Sequence, residues 1–242
     1  MKRFLFTLLI LNCCFAIKAY AHHGKKYLVT GSYDLPHQGS LYALFATDVQ
    51  NNLGNKSYEL EPGILYGLQG RWEIEFHMHH GIEDGEFHIE ALALETRIGI
   101  FGEFSEHEDH YVENNSPFGV SLLVEYEKGL SDHPDNYEGR IIAGTEVGAY
   151  SIDANIIWQQ AFDEERSHET RYAMGVKRTV SQAFGIGAEL DGNFSSITST
   201  KITPGIYFSA NEQFDLKLGT SIGVSPSSDN TVVRLALVYG IQ

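Results

Sequence analysis

The stretch Trp72-Glu73-Ile74-Glu75-Phe76-His77-Met78-His79 alternates without a break between apolar and polar side chains. Trp72, Ile74, Phe76 and Met78 share one face, and Glu73, Glu75, His77 and His79 share the other. A period of two belongs to a β-strand whose faces meet different surroundings. The pattern recurs over Phe118–Glu127, Arg171–Lys177, Phe184–Asp191, Phe214–Gly223 and Val233–Ile241. Noisier alternation predicts further strands near 39–49, 57–67, 86–104, 139–148, 151–162 and 198–209. Within 86–104 the phase slips near Ala91–Leu94, which predicts a β-bulge. The total is about twelve strands, many near the ~9–11 residues with which a tilted strand crosses a bilayer.

Alternation alone fits a soluble β-sandwich as well as a membrane barrel. Three features favour the barrel. Connections after odd strands are polar and loop-like, as at 50–56, 131–137, 163–169 and 225–230. Most of those after even strands are tight, as at 68–71, 147–150, 179–182 and 210–213. Short turns on one side and longer loops on the other are expected of an outer-membrane barrel; the stretch 105–116 departs from this rule. Aromatic rings recur near strand ends, among them Tyr66, Trp72, Tyr126, Trp158, Tyr172, Phe208 and Tyr239, as in the belts found at headgroup level. The polar faces are rich in glycine, which suits a lumen lined by small and charged groups. The expected fold is an all-β, antiparallel up-and-down transmembrane β-barrel of about twelve strands, occupying 22–242 as one domain.

Ahead of it, Lys2 and Arg3 precede an apolar run over Phe4–Phe15, and Ala19-Tyr20-Ala21 has the small-x-small form of a cleavage site. Residues 1–21 therefore read as a signal peptide, too short in its apolar part to span comfortably. Both cysteines, Cys13 and Cys14, fall inside it, so the mature chain has no disulfide or thiolate chemistry. The full sequence holds 17 basic and 32 acidic residues, a formal charge of −15. With Lys2, Arg3 and Lys18 removed the charge becomes −18. Such a balance excludes a phosphate-neutralising nucleic-acid binder. A hydrophobic share of 43% argues against an acidic disordered chain.

The segment Glu61-Pro62-Gly63-Ile64-Leu65-Tyr66-Gly67-Leu68-Gln69-Gly70-Arg71-Trp72-Glu73-Ile74 resembles the second hairpin of the outer-membrane family labelled MetA-pathway of phenol degradation. There a strand ending in Tyr-Gly-Leu turns tightly into one beginning Arg-aromatic-Glu. Leu35-Pro36-His37-Gln38-Gly39 resembles that family's early Leu-Pro-x-Gly step, with one extra residue. The resemblance implies a β-barrel that passes small solutes, with no catalytic signature to carry over. The final strand resembles a barrel-assembly signal but ends in Gln242 where Phe is usual.

The polar faces supply the candidate site. Glu73, Glu75, His77, His79, His88, Glu90, Glu125, Arg140, Glu146, Arg171, Lys177, Glu189, Asp191 and Arg234 are the expected pore lining. Asp153, Asp215, Arg97 and Lys217 fall on the same faces. Same-face neighbours on a strand lie about 6.6–6.8 Å apart, so His77, His79 and His88 are candidate divalent-metal ligands. Read without a metal, they are a hydrated lumen wall. A second His/Glu group, Glu106–His110, lies in the irregular stretch, and His22-His23 would begin the mature chain. No hydrolase-type serine motif or phosphate-binding loop is present, so no enzyme and no organic cofactor are expected.

The residues together predict a Gram-negative outer-membrane channel for small solutes that prefers cations, its charged rings setting selectivity. Its partners would be outer-membrane lipids, its solutes and the barrel-assembly machinery. The alternative is a plugged barrel that binds or senses a divalent metal. Whether a loop or the stretch 105–116 closes the lumen stays open at this level.

Overall fold

The structure, a computed structural model, describes residues 25–52, 55–68, 71–83, 85–102, 118–130, 133–162, 167–195, 199–211, 213–225, 228 and 231–241. The leader at 1–21, His22-His23, the stretch 105–116 and Gln242 lie outside them. Twelve strands come in chain order: β1 (Leu41–Asn52), β2 (Asn55–Gly67), β3 (Trp72–Glu83), β4 (Glu86–Phe101), β5 (Phe118–Gly129), β6 (Asn136–Val147), β7 (Tyr150–Ala161), β8 (His168–Ser181), β9 (Phe184–Asn193), β10 (Thr200–Asn211), β11 (Phe214–Gly223) and β12 (Thr231–Ile241). Each pairs antiparallel with its sequence neighbours, and β1 pairs with β12 from Leu41↔Ile241 to Asn51↔Thr231. The ring is closed, so no sheet edge is left with unpaired backbone groups.

The alternation in the sequence becomes an inside-out barrel. On β3, Trp72, Ile74 and Phe76 point outward at 47%, 36% and 45% exposure, while Glu73, Glu75 and His77 between them are buried. The outer wall continues through Leu94, Val124, Ile141, Ile156, Met174 and Ile206, all exposed. Exposed rings gather at both ends of the wall. Tyr66, Trp72, Phe101, Phe118, Tyr150, Phe208 and Tyr239 ring the tight-turn end; Phe87, Trp158, Phe162 and Phe194 ring the other. A wall of this kind in water would expose far more contiguous apolar surface than a soluble monomer tolerates. It matches the apolar band and two aromatic girdles of a membrane barrel.

The expected bulge is present, displaced by one residue. His79 pairs with Ala91 and His80 with Ile89, so Glu90 is the extra residue of β4. The insertion lets Glu90 and Ala91 both face inward and sets the phase change that the sequence shows. The turns after even strands are tight where described, with Gly148 at φ 59° between β6 and β7. A left-handed backbone there suits glycine, which carries no Cβ to clash.

Candidate functional site

The predicted pore lining does lie inside the barrel, but the lumen is not empty. Residues 25–37 precede β1 and are folded into it, with Tyr27, Thr30, Ser32, Tyr33 and Leu35 all buried. The polar interior makes this possible. A short segment without strand partners has backbone groups to satisfy, and the strands' inward carboxylates and amides satisfy them.

Glu189 on β9 does the largest share of this. Its Oε1 accepts the Leu28 N–H and its Oε2 accepts the N–H groups of Val29 and Thr30, all at 2.7 Å. The Tyr207 hydroxyl on β10 donates to the same carboxylate at 3.0 Å. Asn155 on β7 holds Gly31 from both sides, accepting its N–H at 2.7 Å and donating to its carbonyl at 2.9 Å. Asp153, two residues away on the same face, accepts the Tyr33 N–H at 3.0 Å. Arg97 on β4 donates to the Ser32 carbonyl at 2.5 Å. Lys217 on β11 donates to the Lys25 carbonyl. In the closed ring of twelve, β3 and β9 stand six places apart, so the segment ties diametrically opposed walls together.

Glycines make room for its aromatic rings. A side chain at Gly175 on β8 would place its Cβ 2.7 Å from the Tyr27 ring. Gly119 on β5 and Gly144 on β6 give the same clearance to Tyr33. Tyr27 and Tyr207 then meet edge to face, with ring centroids 6.3 Å apart.

The segment's two lysines are held differently. Lys26 pairs with Asp34 of its own segment and, at 2.6 Å, with Glu146. Lys25 reaches the wall: its Nζ is 2.6 Å from Glu75 Oε2 and 3.5 Å from Glu95 Oε1. Beside it, Arg97 pairs with Glu73 at 2.7 Å; both side chains are almost wholly buried. A charge removed from water needs such a partner to be tolerated at all. His77 Nδ1 lies 3.3 Å from Glu75 Oε1, with Glu61 and Glu125 at 3.8 and 3.7 Å from its Nε2.

The other predicted positions are spread around the wall. Arg140 pairs with Glu138 at 2.5 Å, and Arg234 with Asp48 at 2.6 Å. Asp191 is buried in the lumen, and Lys177 lies over the Tyr207 ring at 5.5 Å. Arg171 sits near the loop end of β8, opposite Asn193. His79 stacks edge to face on His77, with centroids 5.0 Å apart, and its Nε2 is 3.7 Å from Glu127.

The three candidate metal ligands do not converge. Among the described residues, His88 groups with Glu90 and His133 near the loop end, whereas His77 groups with Glu61 and Glu75 deeper in the lumen. In each group the ligand atoms lie within 4.8 Å of one another. The bulge explains the split, since Glu90 pushes His88 a residue further toward the loops.

Alternation located the wall and missed the segment that fills it. Glu61, Glu95, Glu138 and Asn155 also face inward and were not singled out, although each alternates with apolar neighbours, as in Leu94-Glu95-Thr96-Arg97-Ile98. The filling segment has no periodicity to betray it. Its faint signal is Tyr27 and Tyr33 set against unexplained inward glycines.

No known family's sequence profile matches the chain. Among solved structures, an outer membrane channel from Pseudomonas putida F1 superposes with a TM-score of 0.62 at 10% identity, over 89% of this chain and 100% of that one. The fold is that of a twelve-stranded outer-membrane porin barrel. The KdgM porin aligns with a TM-score of 0.58 at 12% identity, over 83% of this chain and 99% of its own. The NanC porin aligns with 0.57 at 9% identity, over 82% and 100%. The likeness to the MetA-pathway family rests on the motifs at 35–39 and 61–74 and on strand order, and no family profile supports it. One curated sequence, described as a dipeptidase of Staphylococcus aureus (strain MW2), is 27% identical over 90 residues. That match spans 37% of this chain and only 18% of the dipeptidase, so no activity carries across.

Proposed function

We propose that this chain is an outer-membrane channel for small solutes, selective for cations, with its own N-terminal segment as the gate. One observation carries the reading. A charged lumen inside an apolar barrel is crossed by a segment that strand side chains hold, without adding a strand to the ring. Hydrogen bonds of this kind exchange with water at modest net cost. The segment can therefore leave without disturbing the sheet.

The sign of the preference comes from the wall. Glu61, Glu75, Glu95 and Glu125 cluster where Arg97 is already committed to Glu73 and Arg140 to Glu138. Such a field raises the local concentration of cations and repels anions. The KdgM porin has been solved with oligogalacturonate, an acidic sugar chain; an acidic lumen suits solutes of the opposite charge. The reading is of a transporter and not an enzyme. It includes export behind a leader cleaved after Ala21, delivery to a Gram-negative outer membrane by the barrel-assembly machinery, and an outer wall solvated by lipid.

The reversal potential of the purified protein in a planar bilayer under a KCl gradient tests this. A potential displaced toward the potassium equilibrium value supports it, and displacement toward chloride refutes the selectivity. The divalent-metal reading has two specific supports, the Glu61, Glu75 and His77 group and the His88, Glu90 and His133 group. Stoichiometric Zn²⁺ binding lost in His77→Ala would favour it.

A further inference from the structure

The lumen holds a cage that already contains its ligand. Glu73, Glu75 and Glu95, on the paired strands β3 and β4, present one carboxylate oxygen each, and these three oxygens lie within 4.8 Å of one another. The Lys25 ammonium sits against them, 2.6 Å from Glu75 and 3.5 Å from Glu95. All three carboxylates are at least nine-tenths buried. Their support is built in: Arg97 fixes Glu73 at 2.7 Å, and His77 braces Glu75 at 3.3 Å. Glu95 Oε1 is buried, and the Lys25 ammonium stands 3.5 Å from it. At that distance the contact is long for a hydrogen bond, and a closer N–H would satisfy the oxygen better.

We propose that this cage is a binding site for primary alkylammonium solutes, and that Lys25 is its tethered occupant, displaced when such a solute enters the lumen. The inference rests on the channel reading and names its solute class. The chemistry is complementary. The cage offers acceptors only, and a primary ammonium offers three donors on a slim apolar stem. Withdrawing the segment removes the Lys25 charge and strands Glu75 and Glu95 in a buried setting, where an uncompensated carboxylate is costly. The segment therefore leaves most readily when another cation takes the place of Lys25. Lys26 has no such role, because Asp34 of its own segment travels with it.

The test is isothermal titration of the full-length protein in detergent, in tetramethylammonium chloride, whose cation has no N–H to donate. The titrant is n-butylammonium chloride. Removing a tethered competitor raises apparent affinity by the factor its effective concentration imposes. Lys25→Ala should therefore bind butylammonium at least about tenfold more tightly than the wild type. Adding Glu75→Gln should abolish that binding. Lys25→Met, which keeps an apolar stem in place, guards against a folding defect and should behave as Lys25→Ala does.

Equal affinity in wild type and both Lys25 variants overturns the proposal, as does no binding in any of them. Ca²⁺ binding to Lys25→Ala without butylammonium binding also overturns it, since the cage would then be a hard-cation site. Titration requires no conduction, so failure of the cage and failure of the channel reading are distinguishable. A protein that binds butylammonium but never conducts refutes only the channel.

Discussion

Replacing Glu189 by Ala should release the gate, and the size of the effect can be worked out. In the filled lumen the carboxylate accepts three backbone N–H groups of the segment, at Leu28, Val29 and Thr30. Its loss leaves those donors facing a buried cavity. An unsatisfied buried donor costs roughly 1–3 kcal/mol, and water entering the vacated space favours the lower figure. Three donors at about 1 kcal/mol each weaken the filled state by about 3 kcal/mol. The Tyr207 hydroxyl loses its acceptor whether the segment is in or out, so its loss cancels. At 1.4 kcal/mol per decade the withdrawn population should rise on the order of a hundredfold.

Residues beyond Ala21 include no cysteine, so Leu28→Cys can serve as the sole labelling site. In detergent, the rate of its modification by a polar maleimide tracks withdrawal. That rate should be about a hundredfold higher in the Glu189→Ala background. Tyr207→Phe, which removes a contact to Glu189 but none to the segment, should leave it within about twofold. A rate in Glu189→Ala within about threefold of the parent would refute the idea that this carboxylate latches the segment.

The same geometry sets three further outcomes. Arg97→Ala leaves Glu73 buried without its partner and should cost about 3–5 kcal/mol in urea-driven unfolding monitored by band shift on gels; Arg97→Met with Glu73→Met should recover most of that loss. Phe76→Arg puts a charge on the outer wall and should cost about 2–4 kcal/mol in refolding into lipid vesicles, unless that wall does not meet lipid. In the loop before β6, hydrogen bonds from Lys128 and then Tyr126 hold the Asp135 carboxyl below the usual aspartate range. The contact is therefore present above the ordinary aspartate value and lost only as pH falls through the lowered one. A carboxyl ¹³C titration midpoint for Asp135 at or above about 3.9 would contradict it.

The barrel was legible because each strand carries its own evidence. Glu73, Glu75 and His77 alternate with Trp72, Ile74 and Phe76 whatever the rest of the chain does, and the opposite-face placement comes from backbone geometry. Turn character and terminal aromatics fixed the choice of membrane over water in the same local way. Pairing of charges was less legible. Glu73–Arg97 joins residues on one hairpin and is within reach of register arguments, since they are directly opposed. The contacts of Glu189 with Leu28 and of Lys25 with Glu75 span most of the barrel or cross it, and nothing periodic links them. Residues 25–37 form no strand, so their place is set by side chains contributed by β3, β4, β6, β7, β9 and β11. The split of His88 from His77 turned on a single inserted residue, Glu90, which the phase slip located only to within a few positions.

In the proposed channel the N-terminal segment closes a cation-selective lumen. The most direct measurement is single-channel recording in planar bilayers of the wild type beside a variant lacking residues 25–35, with insertion of both verified. The wild type should be largely closed with brief openings, and the deletion variant should show sustained, discrete, cation-selective conductance. Equal conductance in the two, or a deletion variant that inserts and stays insulating, would contradict it.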